Sequence, residues 1–283
     1  MTTIDDPVQM ALAREAVRPN LVKQTMLSGH LASSFGLRMA LSVEMPLVAK
    51  RAGYQGLLMN VEHTAINIET MSYISTSCLN VGISPIVVVP TCSPEWISRV
   101  LDSGAQCVIV PHVNNKEEAK ICVESSKFPP IGKRSITMVT PQTQYTTGIN
   151  PRVLANVANE EIMVIPMIET VQGIDNIKEI AGMQGIDCLL IGCADLSVEL
   201  DCPQEYDNPI FMSAITKIVE AAEEAGIYVG LGGLEPFPHK IEEIVMKYNN
   251  VRYVMAGRDI SFLQAGMKNQ IASLSELDVK LQS

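Results

Sequence analysis

Four side chains in this sequence have the types and positions to share one reaction. Glu62 and His63 follow the run Gly56-Leu-Leu-Met-Asn-Val61, Glu169 closes Ile162-Met-Val-Ile-Pro-Met-Ile168, and Asp195 follows Cys188-Leu-Leu-Ile-Gly-Cys-Ala194. Each lies where an apolar run of strand length stops, so three run ends deliver three acids and a histidine. The carboxylates of Glu169 and Asp195, with no cluster of Cys or His ligands beside them, suit a hard, oxygen-seeking divalent ion. Mg²⁺ is the first choice, with Mn²⁺ or Co²⁺ as alternatives. An imidazole whose ordinary pKa is about 6.5 suits proton transfer near neutrality, which selects His63 as general base. A lone acid after a strand also serves as a helix N-cap, and a lone histidine as a loop residue. His30, His112 and His239 have no comparable company and read as structural or surface residues. The acids of 220–224 read as a solvated helix face.

Elements that alternate along the whole chain must position these groups. Strand-like runs fall at Gly36–Leu41, Gly56–Val61, Ile86–Pro90, Cys107–Val110, Ile162–Ile168, Cys188–Ile191, Tyr228–Leu231 and Arg252–Met255. They are continuous Val, Ile, Leu and Met stretches, as parallel strands covered on both faces require. Helical spacing fills Val43–Arg51, Asn67–Leu79, Pro94–Asp102, Lys116–Ser125, Ile174–Ala181, Pro209–Ala225, Pro236–Tyr248 and a last segment from Ile260. Ser93-Pro94 and Asn208-Pro209 are cap-then-proline starts. Eight such pairs without a Gly-x-Gly-x-x-Gly turn predict a single (β/α)₈ barrel, with a doubly wound open sheet second. Residues 1–28 read as an accessory N-terminal segment. Pro129–Asn150 is the one long polar loop, a kind that is often functional.

Composition narrows the partners. The 283 residues carry 21 Lys plus Arg against 31 Asp plus Glu, a formal charge of −10. With no basic cluster, that balance argues against nucleic acid and against anionic membrane surfaces. No apolar stretch approaches the roughly 18 residues of a membrane span, and the acidic N-terminus is unlike a secretory signal, so the expected location is the cytoplasm. Seven cysteines, an odd number with no Cys-x-x-Cys, read as reduced thiols.

The residues also carry a family resemblance. Gly53-Tyr-Gln-Gly-Leu-Leu-Met-Asn-Val-Glu-His63 resembles the strand-two signature G-F-D-W-L-L-I-D-x-E-H of the class II pyruvate aldolases, the HpcH/HpaI family. Val89-Pro90, Leu101-Asp-Ser-Gly104, Val110-Pro111, Pro129-Pro-Ile-Gly-Lys-Arg134, Ile168-Glu-Thr170, Ile191-Gly-Cys-Ala-Asp-Leu-Ser197 and Val254-Met-Ala-Gly-Arg-Asp259 follow in the family's order, over roughly residues 35 to 275. The resemblance implies a homo-oligomer, usually a hexamer with exchanged C-terminal helices, so that 260–283 would serve subunit contacts. It implies a divalent metal on Glu169 and Asp195 that is chelated by a small 2-oxo acid of the pyruvate or oxaloacetate type. The substrate carboxylate would meet main-chain N–H groups around Gly192, Cys193 and Ala194. His63, with Glu62 ordering water, would handle the 4-hydroxyl proton. The activity implied is carbon–carbon cleavage through a pyruvate enolate, by aldol cleavage or oxaloacetate-type decarboxylation.

Three positions depart from the family pattern. Asn60 stands where the family has Asp, Val89 where it has the Arg before the strand-three proline, and Met167 where it has Gln. Aligning Gly36-Leu-Arg-Met-Ala-Leu-Ser42 with the family's G-L-W-L-G-L-S puts Arg38 at a site-lining Trp position, where it would restore the missing cation. Two other readings accompany these departures: carbon–carbon bond formation of the macrophomate synthase type, and a non-catalytic 2-oxo-acid-binding descendant.

Overall fold

In the structure, a computed structural model that describes residues 6–282, eight parallel strands close into one barrel in the order β1 to β8. Closure rules out the open sheet. In chain order the elements are α1 (Pro7–Ala16), α2 (Leu21–Leu27), β1 (Ala32–Leu37), α3 (Met45–Arg51), β2 (Gly56–Asn60), α4 (Ile68–Val81), β3 (Ser84–Val88), α5 (Pro94–Asp102), β4 (Cys107–Val110), α6 (Lys116–Ser126) and α7 (Pro151–Glu161). The second half continues with β5 (Met163–Ile168), α8 (Val171–Asp175), α9 (Ile177–Ala181), β6 (Cys188–Gly192), α10 (Cys193–Glu199), α11 (Pro209–Glu224), β7 (Tyr228–Gly232), α12 (Pro238–Lys247), β8 (Val251–Arg258) and α13 (Asp259–Gln282). Among these, α1, α2, α7 and α10 lie outside the segments expected from apolar spacing. The expected helix over Ile174–Ala181 is two short ones that meet at Asn176.

Strand parity divides the core in two. Ala32, Leu58, Ile86, Val88, Cys107, Ile109, Met163, Ile165, Met167, Cys188, Leu190 and Tyr253 fill the barrel interior. The alternate residues, such as Leu57, Val87, Val108, Val164 and Leu189, pack outward under the helices. Both faces are therefore apolar, which is why the strands read as unbroken hydrophobic runs. Below them α2 drives Val22 and Met26 into the same interior cluster and stops the bottom of the barrel. The long loop packs at this lower end as well. Gln142 accepts from the Arg18 N–H through its carbonyl at 2.8 Å and donates from Nε2 to the Ala105 carbonyl at 2.8 Å. No residue of 129–150 lines the cavity at the mouth, so its length serves the base of the fold rather than the site.

The first strand begins earlier than its apolar pattern suggests. Ser33 and Ser34 belong to it because their hydroxyls have partners there: Gln55 for Ser33 and the Tyr253 hydroxyl, at 2.7 Å, for Ser34. The strand ends at Leu37 because one carboxylate takes over the next three donors. Asp259 Oδ2 accepts the N–H groups of Arg38, Met39 and Ala40 at 3.0, 2.7 and 2.7 Å, and Oδ1 accepts from Ile260. Burial pushes the Asp259 carboxyl up, but these four donors more than offset it and hold it below the usual 3.8. The ionised form thus stabilises the fold above that value, and the contribution fades as pH falls through the folded pKa. Asp259→Asn is expected to cost about 1–3 kcal/mol in denaturant unfolding at neutral pH. That deficit should shrink on acidification below 3.8, and a deficit independent of pH would show that the charge is not what stabilises the turn.

Candidate active site

The strand ends open on a cavity of about 350 Å³ lined by residues from β2, β3, β5, β6, β7 and β8 and the loops that follow them. This is room enough for a small organic acid with an acceptor. Asn60, Glu62, His63, Met167, Glu169, Gly192, Ala194 and Asp195 all line it. The sequence places these residues there by parity: Met167 is the last inward residue of β5, and Glu169 continues its side of the strand. On β2, Asn60 makes no hydrogen bond to the imidazole; its Oδ1 accepts the main-chain N–H of His63 at 3.0 Å and so shapes the turn that presents it. Gly192 is fixed by contact, because a Cβ there would come within 2.7 Å of Glu169 Oε2 and 3.1 Å of Met167 Sδ.

A second histidine joins the acids. His112, just past β4, turns at φ 51° and donates its N–H to Glu169 Oε1 at 2.8 Å. Its Nδ1 lies 3.2 Å from the same oxygen and its Nε2 3.5 Å from Glu62 Oε1. His63 Nε2 sits 3.3 Å from the other oxygen, Glu62 Oε2. Glu62 is therefore held between two imidazoles, one of which also grips Glu169. His112, expected to be a structural or surface residue, is indeed exposed but stands against both acids, and the strand-end rule that selects His63 applies equally two residues after Val110. Burial raises the Glu169 carboxyl above its usual range, the His112 N–H and imidazole oppose this, and Asp195 and Glu62 add to it. Negative charge is thus crowded into a partly dry site, the situation that a cation relieves. Among the described residues no three His, Cys, Asp or Glu side chains form a metal cage. Glu169 and Asp195 offer two hard oxygen donors with positions to spare, which fits a divalent ion that keeps water or substrate as its other ligands.

Three expected members of the site lie elsewhere. Cys193 is fully buried with its thiol among the outer core residues, and of its neighbours Gly192 and Ala194 line the cavity. Arg38 follows the end of β1, exposed, and is not among the lining residues. Val89 packs outward; the strand-three residue that lines the cavity is Val88, one position earlier. Arg258, not Arg38, is the one Lys or Arg among the described lining residues. A bulge brings it there. Between the β1 partners Ser34 and Gly36, β8 advances from Met255 to Arg258, one residue too many, with Gly257 at φ 123°. Tyr253 and Met255 point inward, so regular alternation would next turn Gly257 in and Arg258 out; the extra residue reverses them.

A closed parallel barrel with acids and imidazoles at its strand ends defines a class of enzyme, and the chain belongs to one family of it: the model of the HpcH/HpaI aldolase/citrate lyase family matches residues 44–246. It is thus a member of a carbon–carbon lyase family. The chain is 28% identical over 260 residues to the 4-hydroxy-4-methyl-2-oxoglutarate aldolase of Chaetomium globosum, covering 92% of this chain and 96% of that one. Its structure matches the citrate synthase SbnG with a TM-score of 0.78 at 27% identity, over 90% of this chain and 98% of that one. Macrophomate synthase shares the fold, with a TM-score of 0.75 at 24% identity over 95% of this chain and 91% of that one. No described helix is long and apolar enough to cross a membrane, and all seven cysteines are free.

Proposed function

We propose that this protein is a metal-dependent carbon–carbon lyase that cleaves or forms the bond next to a pyruvate unit. The observation that carries the reading is the convergence of Glu169, Asp195, Glu62 and His63 on one cavity, with His112 tying Glu62 to Glu169. Glu169 and Asp195 would hold Mg²⁺, or Mn²⁺ or Co²⁺, and such an ion would supply the positive charge that favours electron flow onto the keto oxygen of a 2-oxo acid. The main-chain N–H groups of Cys193 to Asp195 would orient its carboxylate, with Gly192 allowing close approach. His63 would take the proton of a 4-hydroxyl, held in place through Glu62 and presented by the Asn60 turn. Val88 and Met167 keep the floor of the cavity apolar and strengthen these charge interactions. The metal ligands and the main-chain donors would act on the pyruvate half alone, and the protonated base would return its proton to C3 of the enolate, so the first test needs no acceptor. Proton–deuterium exchange at C3 of pyruvate, with Mg²⁺ or Mn²⁺ present and a chelator as control, is expected to be catalysed. Absence of exchange together with no turnover of oxaloacetate or of 4-hydroxy-2-oxo acids would leave a binding protein. Leu263, Met267, Ile271 and Leu274 are exposed along α13, which supports assembly into a homo-oligomer through that helix.

The missing strand-three arginine gives a further expectation. Val88→Arg, at the position that lines the cavity, should raise the exchange rate about tenfold or more, since one well-aimed donor is worth about 2.7–4 kcal/mol when fully preorganised. Val89→Arg, forced into the outer core, should instead destabilise the barrel. Equal effects of the two in kinetics and thermal melting would show that strand parity at the mouth is misassigned.

A further inference from the structure

Arg258 forms an ion pair that the lyase reading leaves unused. Its Nη2 lies 2.5 Å from Glu235 Oε1, and Glu235, in the loop after β7, is 10% exposed. The other oxygen, Glu235 Oε2, is buried without any hydrogen-bond partner. Both residues line the same cavity as Glu169 and Asp195 but on its β7–β8 flank, while the acids close β5 and β6. The arginine is also built in. Its Cγ lies over Gly36, where a Cβ would come within 3.0 Å, and the β8 bulge turns it toward the mouth. Its side chain is 46% exposed, so the guanidinium keeps donors for a further partner.

We propose that Arg258 and Glu235 form a subsite for the far end of the substrate and select 2-oxo diacids that carry a 4-hydroxyl. Arg258 receives the distal carboxylate, the natural planar partner of a guanidinium. Glu235 positions Arg258 through Oε1, and its unpartnered Oε2 accepts a hydrogen bond from a water held by the distal carboxylate. A substrate anchored by its pyruvate half at β5 and β6 has one cation within the described lining to reach for, and that cation lies on the neighbouring β7–β8 flank. A neutral tail would leave the arginine without an anion, the situation that gives polar sites their strongest discrimination.

The inference rests on the lyase reading, so the experiment separates the two. With Mg²⁺ present, three rates are measured: pyruvate C3 exchange, cleavage of 4-hydroxy-2-oxoglutarate to pyruvate and glyoxylate, and cleavage of 4-hydroxy-2-oxopentanoate to pyruvate and acetaldehyde. The diacid is expected to exceed the monoacid in kcat/KM by about 10–10²-fold, the worth of a charge-assisted hydrogen bond. In Arg258→Met that ratio should collapse toward one, mainly through KM for the diacid, and Arg258→Lys should recover part of it. Glu235→Gln should also narrow the ratio, and calorimetry should show 2-oxoglutarate losing its advantage over 2-oxopentanoate in both variants. Exchange with equal cleavage of both acids, or a ratio unchanged in Arg258→Met, overturns the subsite and leaves the lyase reading standing. Failure of exchange and of both cleavages overturns the two together.

Discussion

Glu169→Gln and Asp195→Asn are each expected to abolish metal-supported turnover while leaving the barrel folded. Loss of a stabilising charge worth several kcal/mol at the keto oxygen corresponds to about 10³-fold or more in rate. Mn²⁺ affinity, followed by calorimetry, should fall with it. The fold should not suffer, because the core consists of the apolar strand residues and the amide carbonyl in Glu169→Gln would still accept the His112 N–H. Glu169 adds a test with a definite sign. Its folded pKa lies above the usual value, so without metal the ionised carboxylate opposes folding once pH has risen through that range. Metal-free Glu169→Gln is therefore expected to melt no lower than metal-free wild type at neutral pH, and metal should raise the melting temperature of wild type alone. Unchanged Mn²⁺ affinity in either variant would sink the assignment of these two ligands.

The second large effect concerns the two imidazoles. His63→Ala should lower cleavage of a 4-hydroxy-2-oxo acid by about 10²–10⁴-fold, the usual worth of a positioned proton-transfer group, with metal affinity little changed. His112→Ala should lower both, because His112 touches Glu169 and Glu62 together while His63 touches Glu62 alone. The pair of variants separates the roles. If His112→Ala reproduces the pure rate loss and His63→Ala weakens metal binding, the base is His112 instead. If neither changes turnover, the proton passes through another group.

The acids of the candidate site are legible because of a simple coincidence of length and chemistry. A parallel strand covered on both faces shows only as an apolar run, and the first charged residue after it marks the mouth; Glu62, Glu169 and Asp195 all follow that rule and line one cavity. The rule reaches His112 as well, but the value of that residue lies in contacts with two acids from other strands, which its own segment does not show. The first strand starts four residues before its apolar run because its serines look like loop, and only their partners Gln55 and Tyr253 make them strand.

By itself the sequence determined the architecture and the strands that bear the acids. These follow from the period of the hydrophobic residues, which each element carries locally. The tertiary structure decided which way the residues at the strand tips face. Val88 rather than Val89 meets the cavity because β3 keeps its alternation to the end. Arg258 enters the mouth because β8 gains a residue against β1 and loses its alternation. Arg38 stays outside, its main chain drawn to Asp259. Each outcome depends on a register or a hydrogen bond between segments far apart in the chain, and a one-residue shift in either exchanges inside for outside.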